Sequence, residues 1–514
     1  MHTAHYDIII IGTGAGGGTL LHSLRDKDKK ILVLERGDFL PREKVNWDSA
    51  EVFGKGRYHN TEEFVDKKDV PFQPGMGYWV GGNTKVYGAA LFRLREKDFG
   101  TLRHAGGGVS PEWPLQYSDF EPYYTRAEKL YNVHGRRGID PTEPYMSREY
   151  PHDPVSHEPV IEKLHHELER AGYHPFFIPL GLRLNEKNSL ESECIRCSTC
   201  DGFPCFIHAK ADADINCVRP AMKQSKITLL TGMKVTRLHT NSAGTSITQV
   251  EAESCGKKFY YSADIVVVSC GAVNSAVLFL QSASENHPEG LANHSGQLGR
   301  NLMKHQNAAM LAVSPKINNS IFQKTLAVND FYFGENGYDF PMGHVQLLGK
   351  SSREILASDA PKLAPGFILD QMARHSVDWW LTAEDLPDPD NRVTIDRGRI
   401  KLYYQDNNAE GFDRLILRWK QILRRLEILG KFPQPQIFLS KKIPLAGLGH
   451  QCGTMRLGTD PDSSVLDLNC KTHQLDNLYV VDGSFFVSSG AVNPSLTIMA
   501  NALRVGDHIV ERMK

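Results

Sequence analysis

The chain of 514 residues has no apolar run long enough to cross a bilayer, no solenoid repeat, no heptad series and no low-complexity tract. The sequence therefore excludes a membrane-spanning helix, a coiled coil, a repeat array and a disordered scaffold. Net charge is also nearly absent: 59 Lys and Arg stand against 60 Asp and Glu, for a formal charge of −1. No global field would draw such a protein to nucleic acid or to an anionic membrane. Cysteine is scarce and odd in number, nine in all, and four of the nine crowd between positions 194 and 205, which argues against a secreted disulfide framework. What remains is an ordinary globular composition, 41% hydrophobic and 23% charged, at a length that predicts two or more domains.

The strongest positive signal opens the chain. Asp7-Ile8-Ile9-Ile10-Ile11 runs into Gly12-Thr13-Gly14-Ala15-Gly16-Gly17-Gly18, the pattern of a buried strand, a tight turn and a helix start. Gly12 permits the turn, Gly14 lets the backbone approach a pyrophosphate, and Gly17 lets helix and strand pack closely, while the helix N-terminus faces the negative charge. A second strand, Ile31-Leu32-Val33-Leu34, ends on Glu35, 18 residues beyond Gly17, where a carboxylate meets an adenosine ribose. Ala15 and Arg36 complete the expected dinucleotide-binding set at this end. Because the first strand begins at about the sixth residue, no cleavable signal peptide is expected ahead of it, and the protein reads as cytoplasmic.

Farther along, residues 71–93 are rich in Gly, Pro, Tyr and Trp and centre on Met76-Gly77-Tyr78-Trp79-Val80-Gly81-Gly82-Asn83-Thr84, the composition of a loop that wraps a ligand. Helical spacing over 118–131 and 160–171 predicts two helices of a cap over the nucleotide domain. Strands are predicted at 227–230 and 264–269, the latter followed by Cys270-Gly271-Ala272 and a helix over 274–281, which makes a second crossover in the same parallel sheet. From about 308 to 438 polar and apolar residues alternate, as in Arg392-Val393-Thr394-Ile395-Asp396, and an amphipathic helix is expected over 409–429; this predicts an antiparallel sheet with covering helices. A last strand at 478–483 and a helix over 494–512 lead back to the first domain.

Cys194, Cys197, Cys200 and Cys205 form the unusual element. Three cysteines at intervals of three and a fourth beside Pro204 match the spacing of iron–sulfur ligands in bacterial ferredoxins. Four thiolates would also suit zinc, and disulfides or free thiols are the other readings. Cys452 is expected to be a packing residue.

Four blocks in order resemble the glucose-methanol-choline (GMC) oxidoreductases over essentially the whole chain: Gly12 to Gly17 with Glu35; Gly81-Gly82-Asn83-Thr84; Leu298-Gly299-Arg300-Asn301-Leu302 with His305; and the stretch from His450 to Leu503. Within that family, Tyr87-Gly88-Ala89-Ala90-Leu91-Phe92-Arg93 and Asn493-Pro494 look most like the branch with pyranose oxidases and paromamine-type alcohol oxidases. The resemblance implies an α/β fold, α+β overall, with a Rossmann-like FAD-binding domain made of 1–100, 205–307 and 440–514. It also implies a cap over 101–204 that carries the cysteine cluster, and an antiparallel-sheet substrate domain over 308–439. The implied activity is hydride transfer from a CH–OH group of a sugar, glycoside, cyclitol or related alcohol to flavin N5.

Cofactor contacts are implied at Gly82, Asn83, Thr84, Val235, Asp482, Gly483, Asn493 and Ser495. Members that attach the flavin covalently carry a His where this chain has Val86, so non-covalent FAD is expected. His450 falls at the place of the family's catalytic base, a task that neutral imidazole suits. Asn493 falls at the partner position; as Asn before Pro494 it is also a good helix N-cap, and the two roles are compatible. Val-Asp-Gly at 481–483 is by itself only a turn, and Lys85 suits a phosphate, the flavin or a solvated surface. Some relatives pass electrons through an iron–sulfur cluster in the cap, which would imply an acceptor protein or quinone in place of oxygen. A hydroxynitrile-lyase-like enzyme of the same fold and a non-catalytic flavin or electron-transfer subunit are the alternative functions.

Overall fold

The computed structural model of the chain describes residues 4–361, 363–429 and 437–514. Its largest sheet is built on Ala4–Ile11, which pairs in parallel with Ile31–Leu34 on one side and with Lys257–Val268 on the other. Ile227–Leu230 extends the sheet beyond Ile31–Leu34, and Leu478–Val480 pairs in parallel with the last residues of Lys257–Val268. Ile8 to Ile10, Ile31 to Val33 and Val266 to Val268 are fully buried, and burial on both faces is what makes them unbroken apolar runs in sequence. The other half of Lys257–Val268 carries an antiparallel extension, Ile247–Ser254 and Lys234–Thr240.

Five parallel strands thus end along one edge of this sheet. The residues that follow them, among them Gly12, Glu35, Ser269 and Asp482, are gathered there, where open α/β sheets bind ligands. The helices Ala15–Leu24 and Ser495–Arg512 pack together on one face of the sheet. No helix among the described residues is long and apolar enough to cross a membrane.

A second sheet has six strands, in the order Ile437–Lys442, Gln306–Val313, Ser376–Ala383, His344–Leu347, Leu326–Val328 and Phe176–Phe177, all antiparallel. Its strands alternate strictly in role. Val345 and Leu347, Trp379 and Leu381, and Ala308 and Met310 pack under the helix Ala409–Leu423. The alternate residues Asn307, Gln346 and Trp380 face a cavity. The covering helix buries Phe412, Leu415, Trp419 and Ile422, one stripe at helical spacing, and the Trp379 and Trp419 rings meet edge-on at 4.8 Å.

Three expectations shift. The amphipathic helix ends at Leu423, followed by a separate 3-10 turn at Glu427–Leu429. Arg392–Asp396 does not join the six-stranded sheet; it pairs with Arg399–Tyr403, which pairs with Phe64–Asp66 in a four-stranded sheet. Alternation reports one buried face and says nothing of which sheet buries it. Of the two expected cap helices, Tyr117–Leu130 packs on Ser495–Arg512, where Tyr124 Oη and Thr497 Oγ1 are 2.8 Å apart, but Pro159–Arg170 joins the core of the six-stranded sheet.

Trp419 is fully buried, so Trp419→Ala is expected to lower unfolding free energy by about 3–5 kcal/mol. Chemical denaturation followed by circular dichroism measures this, and an unchanged midpoint would contradict the packing described.

Candidate active site

A cavity of about 640 Å³ runs along the strand-end edge, from the 12–16 turn and Glu35 past Thr84, Ser269 and Asp482 to Gln346, His450 and Asn493. At the end with the 12–16 turn Glu35 is buried and tied to that turn: Thr13 donates to Oε2 from its backbone N at 3.0 Å and its Oγ1 at 2.6 Å, and Gly37 N donates to Oε1 at 2.9 Å. Burial pushes this carboxyl above its ordinary range and the Thr13 and Gly37 donors oppose that shift. Arg36 forms a two-pronged pair with Glu62 at 3.1 and 3.2 Å and lies 3.6 Å above the Tyr78 ring. Val235 lines the same end from the start of Lys234–Thr240.

Gly14 and Gly82 are where two backbones meet the cavity. A Cβ on Gly14 would meet nothing within 4 Å, whereas one on Gly82, at φ +54°, would come 3.1 Å from Gly14 Cα. Ala15 begins the helix, whose N-cap Gly14 gives no side-chain cap, and Gly17 lies behind the turn, against Gly12 O. Asn83 and Thr84 hold their own loop: Asn83 Oδ1 accepts from Gly77 N at 2.6 Å, and Thr84 Oγ1 donates to Gly81 O and accepts from Ala213 N at 3.0 Å. Lys85 is neither solvated nor free for a phosphate, because it is buried between Asp212 at 3.0 Å and Asp214 at 2.9 Å. Asp482 uses both carboxylate oxygens on Gly271 N, Ser275 Oγ and the Ser484 N and Oγ, which ties the 482–484 turn, Gly483 included, to the start of Ala272–Gln281.

At the other end, Asn493 Nδ2 lies 3.5 Å from His450 Nε2, and Asn493 Oδ1 accepts from Gln346 Nε2 at 3.2 Å. His305 meets the His450 ring edge-on at 5.0 Å. Burial, with a smaller push from the Lys324 ammonium, lowers His450 to about 4, so it is a neutral imidazole at pH 7. Asn493 does not cap the following helix. That helix starts at Ser495 with Pro494 at the N-cap and no side-chain cap, because the Asn493 amide is drawn to Gln346 and His450. Ser495 and Ile498 border the cavity, so the uncapped helix start faces it. Gln346 escaped the sequence reading; its only signal was the alternation of its strand.

The cysteine quartet is a correction. Among the described residues no group of three or more His, Cys, Asp or Glu is arranged to hold a metal, and all nine cysteines are free thiols. Burial pushes Cys194 up to about 11 and Cys200 up to about 12, which keeps both protonated, while Cys205 Sγ accepts from Ala209 N at 3.3 Å and Cys197 Sγ from Thr199 Oγ1 at 3.5 Å. Cys194 belongs to the hydrophobic core, and Cys200 and Cys205 pack against it. The segment instead builds cavity wall through Ser198, Asp201, Gly202 and Phe203. Asp201 pairs with Lys324 at 2.7 Å and accepts from Gly349 N at 2.9 Å.

The residues present fit FAD. An open glycine turn at an uncapped helix start suits a pyrophosphate, a buried carboxylate with one lone-pair site still unused suits a ribose, and the cavity continues without a break to an imidazole.

Two family models described as GMC oxidoreductase match residues 6–307 and 387–502. The chain is 30% identical to 6'''-hydroxyparomomycin C oxidase of Streptomyces lividus, over 99% of this chain and 92% of that protein. It is 26% identical to paromamine 6'-oxidase of Streptomyces fradiae, over 97% and 90%. Its fold superimposes on the crystal structure of pyridoxine 4-oxidase from Mesorbium loti with a TM-score of 0.66 at 18% identity, covering 98% of each chain. With a glycine turn at one end of the cavity and a histidine–asparagine pair at the other, the chain belongs to the GMC oxidoreductase family.

Proposed function

We propose that this oxidoreductase removes two electrons from a CH–OH group of a sugar, glycoside, cyclitol or related polyol, with FAD held non-covalently along the cavity. The observation that carries the reading is the placement of His450 and Asn493 in the same cavity as the glycine turn and Glu35. Two relatives named for oxidising paromomycin-type compounds support a sugar-like alcohol as substrate. In this reading 1–100, 205–307 and 440–514 hold the cofactor, 308–439 together with Pro159–Arg170 and Phe176–Phe177 forms the substrate domain, and the remainder of 101–204 forms the cap.

The turn at Gly12, Gly14 and Ala15 would hold the pyrophosphate, Glu35 the ribose and the Val235 backbone the adenine. The backbones at Gly82, Asn83, Thr84, Asp482 and Gly483 and the helix start at Ser495 would hold the rest. Bound FAD supplies the acceptor for the hydride that leaves the substrate carbon.

The chain's own residues handle the proton. An alcohol gives up hydride far more readily once its hydroxyl proton is leaving, and His450 Nε2 takes that proton. Asn493 Nδ2 donates to the substrate oxygen and holds the carbon in place. Asn307, Gln346 and Trp380, on the cavity face of the six-stranded sheet, form the wall against which the remainder of the substrate rests.

An anaerobic titration of purified protein with a panel of sugars, amino sugars and simple alcohols tests the reading: polyols should bleach the flavin spectrum. His450→Ala is expected to retain the flavin and slow this bleaching by about 10²–10⁴-fold; an undiminished rate would remove His450 from proton transfer. Because His450 titrates at about 4, flavin reduction in the wild type should be level from neutrality downward and fall only as the pH drops through about 4, when the imidazole protonates. A limb at the ordinary histidine value would contradict the buried, neutral base. Val86 offers no nucleophile, so acid precipitation should leave all flavin in the supernatant, and yellow precipitate would count against non-covalent binding.

A further inference from the structure

Gln346 belongs to the 308–386 segment, which neither matched family model covers, and its side chain is buried on the cavity face of the six-stranded sheet. Its amide donates from Nε2 to Asn493 Oδ1 at 3.2 Å, and Asn493 Nδ2 lies 3.5 Å from His450 Nε2. A primary amide has one accepting end and one donating end. With Oδ1 committed to Gln346, Asn493 presents only N–H to His450, and that geometry requires a lone pair on Nε2 and the imidazole proton on Nδ1.

His305 is consistent with that tautomer. Its Nε2 donates to Ser489 O at 3.2 Å, which leaves a lone pair on its Nδ1. Both His305 Nδ1 and His450 Nδ1 are buried without a partner, in rings that meet edge-on at 5.0 Å. A proton on His450 Nδ1 would face the lone pair of His305 Nδ1 across this ring pair, whereas a proton on His450 Nε2 would set two lone pairs against each other; neither Nδ1 has a hydrogen-bond partner, so the tautomer is carried by the Asn493 contact.

We propose that Gln346 is the positioning residue that sets the polarity of the Asn493–His450 pair. By donating to Asn493 Oδ1, it turns Asn493 Nδ2 toward His450 and the substrate oxygen and keeps the lone pair of the base at Nε2. This rests on the reading of His450 as the proton acceptor. The proton moves from the substrate hydroxyl to that lone pair; as it does, the Asn493 Nδ2–H contact to Nε2 is given up and Asn493 Nδ2 is left to the substrate oxygen, while the Gln346–Asn493 bond is unchanged.

An ionised carboxylate at this place can only accept, so Gln346→Glu would draw Asn493 Nδ2 toward itself and turn Oδ1 to His450, which then must carry its proton on Nε2. Once protonated, the introduced carboxyl regains a donor and restores the native polarity. Two measurements on the full chain test this: anaerobic stopped-flow reduction of the flavin-loaded wild type, Gln346→Glu and Gln346→Met, and ¹⁵N NMR of histidine-labelled protein with the His450 signal assigned by its loss in His450→Ala.

Gln346→Met should slow flavin reduction by about 10–100-fold with KM little changed. Gln346→Glu should slow it by about 100-fold above neutrality and recover as the pH falls, a profile a merely structural role would not produce. In the wild type Nε2 should carry the unprotonated signal, and in Gln346→Glu at high pH the protonated one. Wild-type rates in both variants, or a wild-type His450 protonated on Nε2, would overturn the proposal. A wild type that no polyol reduces would instead sink the oxidoreductase reading, and the tautomer would still decide the role of Gln346.

Discussion

Parallel pairing of Ala4–Ile11 with Ile31–Leu34 and Lys257–Val268 is the constraint on which the site depends. Parallel strands send their following loops to one edge, so a glycine turn, an acidic strand end and a serine turn from three distant parts of the chain meet there. Buried carboxylates then lock those loops. Glu35 joins the end of its strand to the 12–14 turn through Thr13, and Asp482 joins the last strand to the helix Ala272–Gln281 through Gly271 and Ser275. An unpaired buried carboxylate would cost several kcal/mol, but each of these accepts at least three hydrogen bonds, so the same groups that are expensive to bury hold the loops in register.

The six-stranded sheet solves a different problem. One face is fixed by the packing of Trp379, Leu381 and Val345 under Ala409–Leu423. The opposite face, carrying Asn307, Gln346 and Trp380, borders the cavity and is not needed for the core. A period of two therefore separates stability from chemistry along single strands: neighbours Trp379 and Trp380 serve opposite faces. Most of this sheet lies in 308–386, between the two stretches matched as GMC oxidoreductase.

Legibility in the sequence follows how local each feature is. The opening strand–turn–helix was readable because its glycines act within a few residues of one another, and the order of four separated blocks pointed to His450 and Asn493, which line one cavity with the glycine turn. The Asn493-Pro494 cap was misread because a local preference lost to tertiary partners, Gln346 and His450, 147 and 43 residues away in sequence. Lys85 was ambiguous for the same reason, since its carboxylates lie 127 and 129 residues along the chain. The cysteine spacing suggested a metal because spacing carries no record of burial; the fold packs Cys194, Cys200 and Cys205 against the hydrophobic core while their neighbours Ser198, Asp201, Gly202 and Phe203 line the cavity.

A histidine held at about 4 is a weak base, which at first sight conflicts with the proton abstraction proposed for His450. Most of that shift is the penalty for placing a bare imidazolium in a buried site, and the penalty holds only while no counter-charge is present. When the proton leaves the substrate hydroxyl, the oxygen it leaves becomes the counter-charge. At about 4 Å and an effective dielectric near 20 their attraction is worth about 4 kcal/mol, roughly 3 pKa units, enough to bring the imidazolium back toward neutrality. Burial thus keeps His450 empty until substrate arrives without forbidding it to accept. The Lys324 ammonium works against that step, and its 2.7 Å pair with Asp201 moderates it. The carboxylate that neutralises this ammonium belongs to the cysteine-bearing segment.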